Sequence, residues 1–126
     1  MRSIGTLRTD YLDQEFGEIT TDEIIITEER EEHIKLRHPA DYDIFLQFGS
    51  TVIMDPDIVI RDVSHEGTVF MIKRLEDSNL NVVVRIALSC DNPEYKNSVM
   101  TAYRLREKNL VKLIRKCCGN IIYKKE

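Results

Sequence analysis

Between Asp57 and Leu105 the chain alternates short apolar stretches with turn sequences, and this rhythm restricts the fold more than any other feature. Asp57 to Val63 carries Ile58 and Ile60, and Thr68 to Leu75 is rich in β-branched and aromatic residues. Asn81 to Ser89 places Val82, Val84, Ile86 and Leu88 on one face by period-two counting, and Ser98 to Leu105 reads as a fourth strand. Ser64-His65-Glu66-Gly67, Asp77-Ser78-Asn79 and Asp91-Asn92-Pro93 supply the turns between them. Connections this short join successive strands antiparallel.

Helices flank this meander. Thr27 fits an N-cap, and Glu28 and Glu29 suit the positive end of a helix running to Arg37. The residue before Pro39 avoids the α region, so this helix stops near His38. Pro39 opens a second helix, in which Tyr42, Phe45, Leu46, Gly49, Val52 and Ile53 recur at helical spacing until Asp55-Pro56. A last helix, Arg106 to Cys118, is followed by Gly119 at its C-terminal stop and by a short strand, Ile121 to Tyr123. Ile4 to Ile26 reads as extended, with turns near Asp13 and Gly17. The expected class is α+β: N-terminal helices packed on a four- to five-stranded antiparallel sheet, with a C-terminal helix and a short strand.

A length of 126 residues fits one domain over 1–126 and can bury a core without a disulfide or metal staple. The longest apolar runs, such as Ile24-Ile25-Ile26, fall far below the roughly 20 residues of a membrane helix, and Met1 to Leu7 has no signal-peptide core. Cys117 and Cys118 are adjacent, Cys90 stands apart, and none has metal-ligand spacing, so packing is their default role and a reduced, cytoplasmic setting is expected. The net charge of −4 argues against an indiscriminate nucleic-acid coat. The charge is nevertheless split, with acids dense around Glu28, Glu29, Glu31 and Glu32. From Lys96 on, the chain holds Lys96, Arg104, Arg106, Lys108, Lys112, Arg115, Lys116, Lys124 and Lys125 against Glu107 and Glu126. A basic stretch of this kind suits an anionic partner or, more plainly, a solvated helix face.

Three clusters carry residues able to do chemistry. His33 and Arg37 are four apart and share a helix face, which pairs a proton carrier with a phosphate-gripping guanidinium. His38 follows at the helix end, where the dipole favours its cation. The plainer alternative is that His33 pairs with a nearby Glu and Arg37 caps carbonyls. Their five-residue spacing makes His33 and His38 poor zinc ligands, and no metal or cofactor is expected. On the strands, Arg85 projects opposite the aliphatic face, and Lys73 stands among Val69 and Met71, either snorkelling or facing a site. Lys96, Asn97, Ser98, Thr101 and Tyr103 place an amide, hydroxyls and a cation within one turn and strand, as phosphate and base contacts require and as ordinary turns also do. Ser98 and Thr101 have opposite parity, so they can line one pocket only across a bulge.

Two blocks carry a resemblance. One is Ile26-Thr27-Glu28-Glu29-Arg30, His33-Ile34, Arg37-His38-Pro39 and Asp41-Tyr42, followed by Asp55-Pro56-Asp57. The other is Tyr95-Lys96-Asn97-Ser98-Val99-Met100-Thr101 with the ending Ile122-Tyr123-Lys124-Lys125. From Ile19 onward the chain resembles the phage-associated nuclease domains of the barnase–EndoU–colicin–RelE-like superfamily; residues 1–18 have no counterpart. The resemblance implies helices on an antiparallel sheet and metal-independent RNA cleavage in which the 2′-hydroxyl attacks its own phosphate. It assigns acid–base work to His33, and phosphate contacts to Arg37, His38, Ser98 and Thr101. Transition-state charge falls to Lys73 and Arg85, and base stacking to Tyr103. It leaves the RNA open among tRNA, rRNA and mRNA, and a toxin of this kind needs an acidic immunity or antitoxin protein. A non-catalytic module for RNA or protein on the same scaffold is the other class that fits.

Overall fold

Thr27 sits in extended backbone and its hydroxyl accepts the Arg30 N–H, so the helix begins where an orphan amide finds a side-chain acceptor. A computed structural model of the chain describes residues 1–76, 78–88, 91, 95–117 and 119–125. In chain order the elements are β1 (Arg2–Thr6), α1 (Asp10–Phe16), β2 (Glu23–Ile26), α2 (Glu28–Arg37) and α3 (Pro39–Met54). They continue as β3 (Ile58–Arg61), β4 (Thr68–Arg74), β5 (Asn79–Arg85), β6 (Asn97–Leu105), α4 (Glu107–Lys116) and β7 (Ile121–Lys124).

All the strands join one seven-stranded sheet in the order β1-β2-β6-β5-β4-β3-β7. The central run β3 to β6 pairs antiparallel, as the short connections require. The outer strands correct the sequence expectation. The sheet is mixed rather than a four- to five-stranded antiparallel one, because β2 runs parallel to β6 through Ile24 opposite Asn97 and Ile25 opposite Ser98. The chain also begins with a strand instead of helices, and residues expected to be extended form α1, which ends at Gly17 with a φ of 78°. Helix α1 is only seven residues, too short for periodicity to separate it from extended chain. The parallel pair joins segments some seventy residues apart, which no local pattern encodes.

The sheet has two differently covered faces. On one, Val59, Val69, Met71, Val82, Val84, Val99 and Ala102 form the main core with Ile34 of α2, Phe45, Val52 and Ile53 of α3 and Leu12 of α1. On the other, Leu110 of α4 and the buried Cys117 pack on Ile58, Ile60 and Ile72. Helix α4 thus covers the β3–β4 half of its face. The Cys90 and Cys118 side chains, Asp77, and the Asn92-Pro93 part of the expected third turn lie outside the described residues. No helix among the described residues is long and apolar enough to cross a membrane.

One amide fixes the parallel junction. Buried Asn97 donates to the Thr21 carbonyl at 2.7 Å and the Glu23 carbonyl at 3.0 Å, and its Oδ1 accepts the Ala87 N–H at 2.8 Å. At the other end of β1, the Arg2 guanidinium and the Tyr42 hydroxyl both bond Glu31, tying the edge strand to α2 and α3.

Two outcomes follow from these ties. Asn97→Ala leaves three backbone groups unpaired and should lower unfolding free energy by about 3 kcal/mol in urea titration; an unchanged midpoint would show that the amide is not the tie. Arg2, with Tyr42 assisting, holds the Glu31 carboxyl below its usual range. The stability this supplies is present above the unfolded glutamate pKa and is lost as pH falls through the lower, folded value. Glu31→Gln should therefore flatten the acid limb of a melting-temperature profile.

Candidate functional site on the open sheet face

The residues singled out in β6 come together through an irregularity in that strand. Val83 of β5 pairs with Thr101, but its neighbour Val84 pairs with Val99, so Met100 is an extra residue in β6. This bulge reverses the parity that would otherwise separate Ser98 from Thr101. Ser98 stands opposite Arg85, Thr101 opposite Val83 and Tyr103 opposite Asn81. All project from the face that carries α4. The result is a polar stripe of Arg85, Ser98, Thr101, Tyr103 and Asn81 across two neighbouring strands.

At one end of the stripe is an open cleft of about 240 Å³, lined by Ile25, Thr27, Arg85, Ile86, Ala87, Asp91, Tyr95, Lys96 and Ser98. The N-cap of α2 is in this wall, and Tyr95 stands exposed at its rim. The cations there have acidic neighbours: Arg85 lies 3.4 Å from Asp91, and Lys96 lies 3.0 Å from Glu23. Gly67 in the β3–β4 turn is a site residue the sequence reading missed. Its φ is +74°, and a Cβ there would come within 2.2 Å of the Arg85 guanidinium. Glycine therefore permits both the turn and the seating of Arg85 against it. The Ser64-His65-Glu66-Gly67 turn signal located this glycine but carried no hint of the Arg85 contact.

At the other end, the His38 ring meets the Tyr103 ring, with centroids 5.2 Å apart and planes tilted by 35°. Strand β6 has no strand partner on its outer side beyond Ser98 among the described residues, and α2 lies close to β6. His38, at the α2–α3 junction, therefore reaches the stripe round a free strand edge. Tyr103 accepts a hydrogen bond from the Asn81 amide at 3.1 Å. The Thr101 hydroxyl oxygen is buried with no partner among the described residues, and so is the Asn81 carbonyl oxygen. Asp41 fixes the next residue of β6, accepting from the Arg104 N–H at 3.0 Å and from its Nε at 2.6 Å.

The other expected site residues stand elsewhere. His33 is half-buried on the outward side of α2, in a shallow hollow with Glu29, Arg30, Glu32 and Leu36, and Arg37 is exposed in the last turn of that helix. Lys73 projects from the helix-covered face beside Val69 and Met71, as its parity requires, and donates to the Asp55 carbonyl at 2.9 Å and carboxylate at 3.3 Å. It thus neutralises the C-terminal end of α3. Lys73 and Arg85 therefore lie on opposite faces of the sheet and cannot grip one phosphate. Asn97 spends its amide on the β2–β6 junction. His65, the third histidine, pairs with Asp62 at 2.9 Å in the β3–β4 turn. No group of three or more His, Cys, Asp or Glu among the described residues is placed to hold a metal ion.

Comparison with protein-family models, with curated proteins and with solved structures finds no match to the chain.

Gly67→Ala should displace the Arg85 guanidinium and cost about 1–3 kcal/mol of stability from the forced positive φ. A crystal structure of the variant checks the first effect and urea titration the second. Arg85 unmoved would mean the turn does not set its position.

Proposed function

We propose that this protein is an endoribonuclease that cleaves RNA without a metal, its 2′-hydroxyl attacking the adjacent phosphate to leave a cyclic phosphate and a free 5′-hydroxyl. The observation that carries the reading is the bulge at Met100, which puts Ser98 and Thr101 on the same sheet face as Arg85. The resemblance of the two motif blocks to phage-associated nuclease domains supplies the chemistry. RNA brings its own nucleophile, so the protein need supply only a base, an acid and groups for phosphate charge.

The roles follow from position. Arg85 and the Ser98 hydroxyl hold phosphates along the stripe, above the buried Thr101 hydroxyl, and Lys96 adds charge at the cleft. His38 is the imidazole that touches the stripe, so proton transfer falls to it in place of His33. Tyr103 offers its ring to a base. A segment of single-stranded RNA fits better than a duplex, because a trough on a strand surface reads splayed bases and a closed helix hides them. The exposed cations of the neighbouring α4, Lys108, Lys112 and Arg115, extend the attraction for phosphate. We place this activity in the cytoplasm, among RNA and reduced thiols.

The test is incubation of the purified protein with total cellular RNA in EDTA, followed by analysis of fragment ends. Cyclic phosphate ends are expected from wild type. His38→Ala should reduce their formation by about 100-fold or more, while His33→Ala stays close to wild type. Full activity in His38→Ala would overturn the assignment of proton transfer. RNA bound with steep salt dependence but never cut would make the chain a binding module instead.

A further inference from the structure

Asn81 stands in the middle of the sheet, on a central strand whose other residues from Leu80 to Val84 are all apolar. It is fully buried, and its carbonyl oxygen has no partner among the described residues. Asparagine is among the residues least suited to such a place, and an unpaired buried carbonyl weakens a fold. A leucine, with the same branched outline and number of side-chain heavy atoms, would continue the neighbouring Ile72 and join the apolar layer beneath α4. Packing therefore gives no reason for an amide here. What the amide does is donate to the Tyr103 hydroxyl at 3.1 Å, and the Tyr103 ring in turn lies against His38.

The chain of contacts has a direction. Asn81 is fully buried within the sheet, Tyr103 is half-buried on β6, and His38 is half-buried at a helix junction. A bond from the buried member to the tip of the phenol fixes the ring that the imidazole meets. We propose that Asn81 is a positioning residue, holding the Tyr103 phenol so that its ring, set beside the His38 imidazole, is a platform for one unpaired base of single-stranded RNA. This deepens the ribonuclease reading and rests on it for the identity of the ligand. Asn81 itself touches no substrate. Its effect passes through Tyr103, whose ring gives a base a π-face without demanding a particular sequence.

The experiment compares Asn81→Leu, Tyr103→Phe and the double variant with wild type. Three quantities are read: the melting temperature, the His38 imidazole chemical shifts, and the affinity for a short single-stranded oligoribonucleotide carrying 2′-O-methyl groups, which cannot be cleaved. The melting temperature establishes that each variant is folded before the other two are compared. Both single variants should move the His38 signals in the free protein and weaken oligonucleotide binding by about tenfold, the scale of one base stack. The double variant should bind no worse than either single one, because both cut the same bond. His38 signals unmoved in the single variants would overturn the positioning role, as would losses that add in the double variant. Should Asn81→Leu not fold, Tyr103→Phe carries the same test. The chemical shifts need no RNA and no turnover, so a wild type that produces no cyclic phosphate ends would sink the cleavage reading and still leave the Asn81 contact decided.

Discussion

The N-terminal half of the sheet depends on the amide of Asn97. Only two residue pairs join β2 to β6, too few for a parallel ladder to hold by itself. Asn97 adds three bonds at that point, two to the segment entering β2 and one to the chain leaving β5. Strand β1 pairs with β2, and α2 springs from the end of β2, so both inherit their positions from this junction. The placement of His38 against Tyr103 is a remote consequence, since α2 carries the histidine to the edge of β6.

The sheet separates scaffold from site by parity. Residues facing α2 and α3 are mostly apolar, and the cations on that face are each taken up by a carboxylate: Lys73 by Asp55, Arg104 by Asp41 and Arg61 by Glu15. Residues on the other face change character along the sheet. Beneath α4 they are Ile58, Ile60 and Ile72, and on β5 and β6 they become Asn81, Arg85, Ser98, Thr101 and Tyr103. Helix α4 leaves the end of β6 and crosses towards β7, so it covers the first group, while in the second Asn81 is fully buried and Arg85, Ser98 and Tyr103 are half-buried at its margin. A polar stripe at the margin of a helix-covered layer is a common place for recognition. The scaffold holds it rigid, and the uncovered strands give access.

Much of the fold was legible in local pattern. The capping of α2 at Thr27, its end before Pro39, and the alternation through Val82 and Val84 each follow from interactions between near neighbours. The outward projection of Arg85 was legible for the same reason, since strand parity needs only a reliable register. The candidate site was only half legible. Ser98, Thr101, Tyr103 and Arg85 were all visible as chemistry-bearing residues, but their sharing of a face required a bulge that no residue type announces. His33 and Lys73 had suitable side chains and stand away from the stripe. Asn81 and Gly67 were passed over because an asparagine at the edge of an apolar run and a glycine in a turn both have ordinary explanations.

By itself, then, the sequence determined the secondary structure of the central meander and the two long helices, the charge split, and the face of each regular strand. Those properties depend on contacts within a few residues, which period and capping express directly. The tertiary structure alone decided that β2 lies parallel to β6 and that the first strand joins the sheet. It also decided that Met100 is bulged out and that His38 rather than His33 meets Tyr103. These depend on contacts between segments tens of residues apart, where burial of apolar surface and satisfaction of backbone groups choose among pairings that local sequence leaves equivalent.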